Sequence, residues 1–302
     1  MKILIAICTY NRNKELSNLL ESLENQTEVP AECEFDIAVC DNHPDAIAQS
    51  LFNNQKDITY LQEEMRGISY ARNHLLNYAK DKKYSEIIFL DDDETTSPTW
   101  LKELLTVYKK NIYAFVSAPV SPVLEKNKSK IWITSTSFYK TSSNATEKLK
   151  NKSVVGSGNV IINMDFISRY RLYFKEKFNL SGGEDANFFF RIQKLGGLGG
   201  WAEQAVAYET LAPSRYSFSY FIKRSYGLPS AGVRAYKDAY GVKDAYKTWG
   251  PKCVYHFIIS PLFLLRAVGD RKYLYSAIQH IVVAAGQLSG LLSISYNAYV
   301  KQ

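Results

Sequence analysis

Histidine and cysteine are both scarce in this chain, four of each in 302 residues. His43, His74, His256 and His280 show no HxH or HExxH spacing, which argues against a histidine-based metal site. Cys8, Cys33, Cys40 and Cys253 show no CxxC or other ligand spacing, and Cys8 and Cys40 sit in apolar, strand-like runs. They read as reduced core thiols, which fits a cytoplasmic compartment. The N-terminus has no basic stretch followed by a long apolar one and a small-residue cleavage site, so nothing there argues for secretion. No internal repeat is visible, and no nucleic-acid recognition motif accompanies the basic residues, so nucleic acid is not an expected partner.

What is present is enough apolar material, 46% of residues, to fill a sizeable core in one large domain or two modest ones. The net charge of +7 is unevenly placed. From Pro213 to Gln302 there are 12 Lys and Arg against 3 Asp and Glu, a net +9 that leaves −2 for the remainder. This basic segment also holds 11 of the 22 tyrosines, and its 28 residues from Tyr273 to Val300 contain no Asp, Glu, Lys or Arg. Two readings are open: a helical subdomain packed on the rest, or attachment to an anionic membrane surface. Val254 to Leu265 is too short to span a bilayer, and the uncharged stretch is interrupted by Gln279, His280, Gln287 and Asn297, so attachment would be peripheral or monotopic, on the inner face of the cell membrane.

Lys2 to Thr9 is a nearly continuous apolar run, the pattern of a strand buried on both faces of a parallel sheet. Leu16, Leu19, Leu20 and Leu23 then recur at helical spacing, and Phe35 to Cys40 forms a second strand closed by Asp41-Asn42. A short strand from Ile58 to Leu61, a helix from Ile68 to Lys80, a strand from Glu86 to Leu90 and a helix from Pro98 to Tyr108 continue the alternation. This predicts an α/β fold with a mostly parallel central sheet flanked by helices. Strands are also predicted over Ala114 to Val120, Val155 to Asn163 and Ala202 to Tyr208, a helix over Ala186 to Leu195, and a polar connection from Glu125 to Ser153 around Trp132. A boundary at 212–213 divides this α/β domain, 1–212, from a basic helical extension, 213–302.

The chemistry concentrates at strand ends, where open α/β sheets bind ligands. Ile87 to Leu90 runs into Asp91-Asp92-Asp93-Glu94. Carboxylates crowded at a strand exit suit a hard, oxygen-seeking cation, Mg²⁺ or Mn²⁺, that also grips phosphate; the plain alternative is a solvated polar turn. On an extended backbone Asp91 and Asp93 share one side, Asp92 points away, and Glu94 falls in the following loop. Thr9, Tyr10, Asn11 and Arg12 leave the first strand able to offer donors to a nucleotide. Asp41 at the second exit can accept from a base N–H or a ribose hydroxyl, or cap a turn. Arg66 and Arg72 suit a diphosphate through their planar forks, and Arg72 can equally pair with an aspartate of the cluster.

Taken in order, Ala6 to Arg12, Asp41, Arg66-Gly67 with Ala71-Arg72-Asn73, Asp91 to Asp93, Gly156-Ser157-Gly158-Asn159 and Gly182-Gly183-Glu184-Asp185 resemble the motifs of family 2 glycosyltransferases of the GT-A fold, of the bacterial exopolysaccharide and surface-glycan type. The resemblance covers about residues 3 to 215. It implies an inverting, metal-dependent transfer of a sugar from a nucleotide-sugar, UDP-linked, to a hydroxyl of a glycan or lipid-linked acceptor. It places Thr9 to Arg12, Asp41, Arg66, Arg72, Asp91 and Asp92 at the nucleotide and Asp93 with Asp91 at a Mg²⁺ or Mn²⁺. Asp185 becomes the general base, with Glu184 beside it holding the acceptor. Many relatives carry a further histidine ligand after the last core strand; here Tyr208-Glu209-Thr210 stands in that region, making Glu209 the substitute candidate. Pro213-Ser214-Arg215 followed by Lys223-Arg224 resembles the exopolysaccharide branch and makes Arg215 a diphosphate or acceptor contact. Two other activities fit single features: transfer to polyprenyl phosphate on the same fold, and a haloacid-dehalogenase-type phosphatase with Asp91 as nucleophile in a DxDxT run. The second is discounted because that signature normally sits on the first strand and needs a later lysine and acidic pair, whereas Gly269-Asp270 has no second acid at Leu274.

Overall fold

The computed structural model describes residues 1–53, 55, 57–110, 112–123, 149, 152–179 and 181–294. The expected polar connection around Trp132 and the end of the uncharged C-terminal stretch lie outside these residues. Two compact units are present. The first comprises Met1–Ser121, Thr141–Asn179 and Arg191–Glu209; the second comprises Pro122–Lys140, Leu180–Phe190 and Thr210–Gln302. A boundary at 212–213 thus accounts only for the last segment of the second unit, which also takes in the Gly182 to Asp185 motif.

In chain order the first unit begins β1 (Lys2–Thr9), α1 (Asn13–Glu24), β2 (Glu34–Asp41), β3 (Ile58–Gln62), α2 (Ile68–Asp81) and β4 (Glu86–Asp91). It continues β5 (Glu94–Thr96), α3 (Trp100–Tyr108), β6 (Phe115–Ser117), β7 (Val120–Val123), β8 (Val160–Asn163) and α4 (Met164–Arg169). After α5 (Glu184–Lys194) come β9 (Gly199–Trp201) and β10 (Ala207–Thr210). A seven-stranded sheet runs β3-β2-β1-β4-β8-β6-β9 and a small one β5-β10-β7. β1, with Ile3 through Ile7 wholly buried, lies between parallel β2 and β4, as its unbroken apolar run requires. Leu16, Leu19, Leu20 and Leu23 of α1 pack into the same core as Ile3, Ile5, Ile7 and Trp100. β8 is antiparallel to both β4 and β6.

Register fixes the functional edge. Thr9 pairs with Asp41, Cys8 with Asp91, and Asp41 with Gln62, so the carboxyl ends of β1, β2, β3 and β4 finish side by side.

Several expectations give way here. The strand predicted over Ala114 to Val120 is two strands in different sheets, parted at Ala118-Pro119, because proline supplies no ladder donor. Of Val155 to Asn163 only β8 is strand, since Asn159 turns the chain at φ 55°. The strand expected over Ala202 to Tyr208 is β10, shifted later, and β9 is a Gly-Gly-Trp run that no alternation announces. Glu94 is not in a loop but opens β5, directly opposite Glu209 of β10.

The second unit is helical: α6 (Phe218–Tyr240), α7 (Val242–Arg266) and α8 (Lys272–Leu291). The basic helical extension breaks first at Gly241, which caps α6 through its N–H to Lys237 O at 2.9 Å. Ala186 and Phe190 from the start of α5 pack with Val233, Tyr236, Ala239, Trp249 and Leu291 in one apolar cluster. Phe190 meets the Tyr236 ring edge-on at 5.2 Å.

Candidate active site

In the first unit, β4 ends at Asp91, and Asp92 and Asp93 form a turn before β5. That turn overturns the extended arrangement in which Asp92 points away. Asp92 is instead 5% exposed, accepting from Thr9 Oγ1 at 2.9 Å and from Arg12 at 2.8 Å. The same Arg12 nitrogen donates to Asp93 at 2.9 Å. Burial pushes the Asp92 carboxyl up to about 6 against the pull of Arg12. Thr9, 3% exposed, therefore positions the acidic turn through its hydroxyl.

Asp91 faces Arg72, Nη2 to Oδ1 3.6 Å, so the pairing alternative for Arg72 is realised. The Asp91 side chain keeps 47% of its surface exposed. Its carboxyl is nevertheless raised, by the protein matrix around it and by Asp93 and Glu209, with Arg72 and Arg12 opposing. Glu94, 3% exposed, accepts the Asp91 N–H at 3.2 Å and is raised well above the ordinary range, by burial first and by Asp91 next. Like charges directly opposite across a strand pair, as Glu94 and Glu209 are, repel. Gly158 lies against this cluster: a Cβ there would meet Glu94 Oε1 at 2.5 Å and Asp91 Oδ2 at 3.1 Å. Asn159 beside it is wholly buried, accepting from Trp100 Nε1 at 2.7 Å and donating to Pro119 O and Ala205 O at 2.8 Å each.

Asp41 is 0% exposed, with Oδ1 taking the His43 N–H at 2.9 Å and Oδ2 the Ala48 N–H at 2.8 Å and the Tyr60 hydroxyl at 3.2 Å. Its carboxylate shapes the 42–48 loop, the cap that the sequence offered for it. The exposed group at this edge is Tyr10, 39% accessible, whose ring lies 5.0 Å from His43 and 5.4 Å from the Arg66 guanidinium. Asn11 makes the sharp exit from β1 at φ 54°, a conformation asparagine tolerates. Asn42 pins the loop carrying Arg66, donating to Glu63 O and Met65 O and accepting from Gly67 N–H at 2.7 Å. Cys8 is pushed up to about 12 by burial and stays a thiol, without a nucleophilic role.

In the second unit, Gly182 and Gly183 have φ 73° and 95°. A Cβ at Gly183 would come within 2.9 Å of Ala231 O, so glycine is required both by the turn and by the approach of α6. Glu184 and Asp185 occupy the first turn of α5, where the helix dipole favours negative charge, and Asp185 Oδ1 accepts the Ala186 N–H at 2.6 Å. The helix thus begins at Glu184, two residues before the sequence places it. Glu184 is buried and Asp185 half-buried. α6 supports the turn: Arg234 donates to Ser181 O at 2.8 Å, and buried Asn187 donates to Ala235 O at 3.1 Å and Asp238 at 2.8 Å. Arg215 is half-buried in a single turn, Pro213–Tyr216, of this unit.

Residues 4–171, more than half of the chain, match the model of Glycosyl transferase family 2. The chain belongs to this family. It is a glycosyltransferase. The succinoglycan biosynthesis protein ExoM of Rhizobium meliloti is 28% identical over 301 residues, 96% of this chain and 93% of that protein. Among solved structures, S. aureus TarS 1–349 superposes with a TM-score of 0.55 at 17% identity, covering 98% of this chain and 93% of its own. The mannosyltransferase PcManGT of Pyrobaculum calidifontis, solved with GDP-Man and Mn²⁺, superposes at 0.61 and 15% identity, covering 97% and 88%. The fold is GT-A.

For this glycosyltransferase the phosphatase alternative falls away, since the DxDxT run spans a turn between two strands of a different family's fold. Three contributors escaped the sequence reading. His43 follows the second exit and lies against Tyr10; Glu94 is hidden in a three-residue strand; Asn159 belongs to a quoted motif, but its three partners lie 40 to 59 residues away.

Among the described residues no three His, Cys, Asp or Glu converge to hold a metal ion. A divalent cation bridging a diphosphate needs only one or two carboxylates, the phosphates supplying the other oxygens. Asp91, with 47% of its side chain exposed at the β4 exit, and Asp93 beside it are carboxylates of the kind such a cation takes.

Proposed function

We propose that this glycosyltransferase is inverting and metal-dependent, moving a sugar from a UDP-sugar to a hydroxyl of a bacterial surface polysaccharide or lipopolysaccharide under assembly on a lipid carrier. One observation carries the reading: aligned strand exits present Arg12, Arg66 and Arg72 together with an acidic turn, the mixed charges that a cation-bound diphosphate needs. The relatives support the substrate classes. ExoM acts in succinoglycan biosynthesis, and TarS was solved with UDP and with UDP-GlcNAc.

In this reading Asp93 and Asp91, with Glu209 as a further ligand, would hold Mg²⁺ or Mn²⁺, which when bound would supply positive charge at the diphosphate. Tyr10 offers its ring face to the base, Asn11, Arg66 and Arg12 hold the nucleotide, and Asp92, locked by Thr9, keeps the turn in shape. The acceptor oxygen bonds to the anomeric carbon as the bond from that carbon to the diphosphate oxygen breaks. Asp185 takes the hydroxyl proton, Glu184 holds the acceptor, and UDP leaves with the bond's electron pair. Arg215 meets the diphosphate or an anionic part of the acceptor.

The test is a calorimetric titration with UDP, GDP and dTDP, with and without Mn²⁺, followed by NMR of the anomeric proton of the transferred sugar. UDP binding tightened by Mn²⁺ and an inverted anomeric centre are expected; a product that keeps the donor's configuration would overturn the reading.

A further inference from the structure

α7 is built inside-out. The face it turns to α8 carries small and polar groups: Cys253 Sγ donates to Ala284 O at 3.3 Å, Ser260 Oγ donates to Ala277 O at 3.0 Å, and His256 Nδ1 lies 2.7 Å from His280 Nδ1. Its outward face carries Val254, Phe257, Ile258, Leu262 and Leu265, continued by Val268 in the turn to α8. Ile258 is 67% exposed, Leu265 72% and Val268 93%, values that large aliphatic side chains rarely show in water. Stepping 100° per residue puts these positions within one half of the helix surface, an unbroken apolar face. Polar, small residues between helices and large apolar ones outside is the arrangement helices adopt in lipid.

The charges complete the pattern. No charged residue occurs in the 13 positions between Lys252 and Arg266. From Val242 to Leu274 there are six Lys and Arg, among them Lys247 and Lys252 before the apolar face and Arg271 and Lys272 after it, against Asp244 and Asp270, a net +4. Tyr255 and Tyr273, amphipathic residues suited to a headgroup layer, are 57% and 37% exposed. Thirteen helical residues extend about 20 Å, short of a hydrocarbon core of about 30 Å. Among the described residues no helix is long and apolar enough to cross a membrane.

We infer that the α7–α8 hairpin is a monotopic anchor that beds the face from Val254 to Val268 in the headgroup boundary of an anionic bilayer. The apolar face enters, and the flanking lysines and arginines hold acidic headgroups. The inference is independent of which sugar or acceptor the enzyme uses.

The full chain is mixed with vesicles of 30% phosphatidylglycerol in phosphatidylcholine, or of phosphatidylcholine alone, and floated. Binding to the anionic vesicles is expected, weakened by salt as exposed charges are screened. Ile258→Glu with Leu265→Glu should lower partitioning at least tenfold, and Arg271→Glu with Lys272→Glu should abolish the preference for phosphatidylglycerol. Both double variants should keep the wild-type circular dichroism and melting temperature, since every altered side chain is exposed. Wild-type protein recovered free of anionic vesicles at low salt overturns the inference. So does partitioning that survives Ile258→Glu with Leu265→Glu. A concentration-dependent oligomer in sedimentation, dissolved by that variant in a chain that does not float, would assign the face to a second copy of the chain instead.

Discussion

Arg12 holds Asp93 at 2.9 Å with the same nitrogen that holds Asp92 at 2.8 Å. One exposed guanidinium thus fixes both ends of the acidic turn, and its own backbone leads directly into α1. Arg12→Ala removes two charge-assisted bonds of about 1.5–3 kcal/mol each, so UDP affinity should fall roughly 10- to 100-fold. Calorimetry on the folded variant reads this. Unchanged affinity would separate Arg12 from the nucleotide.

Asp185→Asn keeps the size and turn position of the side chain and removes the basic carboxylate. For a hydroxyl acceptor kcat should drop by about 10² to 10⁴. UDP affinity should not change. If the acceptor is a polyprenyl phosphate, already an anion, the loss should stay below about tenfold, so one rate measurement distinguishes the acceptor classes.

Gly158→Ala drives a methyl group toward Glu94 Oε1 and Asp91 Oδ2. Overpacking of this kind costs about 1–3 kcal/mol. Thermal melts should show the destabilisation, and the Mn²⁺ dependence of UDP binding should weaken because Asp91 must shift. A variant that melts and binds like wild type would mean that the carboxylates move aside freely.

Asn159→Ala takes away the Asn159 partners of the Trp100 indole N–H and the Ala205 carbonyl in a fully buried place, while Pro119 O keeps the Ala207 N–H at 3.0 Å. At about 1–3 kcal/mol per orphaned group, the urea midpoint should fall by an amount equivalent to about 2 kcal/mol or more. Asn159→Asp should be no milder, since a carboxylate cannot donate to Pro119 and Ala205.

His256 and His280 are both lowered from the ordinary histidine value, by burial and, for His256, by its partner. Below about pH 6.5 the unfolded chain binds protons that the folded pair resists, so this pair's contribution to stability falls as pH drops from about 7 to 5. The raised buried carboxyls act in the opposite direction. The readout is therefore the difference in urea midpoint between wild type and His256→Phe with His280→Phe across that range. The gap should change with pH in favour of the variant under acid; a constant gap would rule out the pair as the source.

Legibility in the sequence followed the range of the forces involved. The exits of β1, β2 and β4 were readable because the buried runs from Ile3, Ile37 and Ile87 are apolar without interruption and end where polar residues resume, at Thr9, Asp41 and Asp91. The geometry past the exit was not, because a two-residue turn at Asp92-Asp93 has no hydrophobic period to betray it. Asp41 could be seen as either a turn cap or a nucleoside acceptor, and the partners that complete the cap, the His43 and Ala48 amides and the Tyr60 hydroxyl, are set by the fold and by no local pattern. The opposition of Glu94 and Glu209 joins residues more than a hundred positions apart through strands of three and four residues, too short for any pattern. Exposure on α7 was equally hidden: composition announces an apolar helix but not which of its faces is left uncovered.

The packing of α6 on the Gly182-Gly183 turn has a consequence for chimaeras. The last ninety residues look like an interchangeable tail, since the matched family region, residues 4–171, ends before them. Swapping that tail for a relative's would also swap the supports of Glu184 and Asp185, which rest on Ala231, Arg234, Ala235 and Asp238. Grafts that aim to retarget this enzyme to another surface must therefore carry residues 180–190 along with the tail, or inherit a misaligned carboxylate.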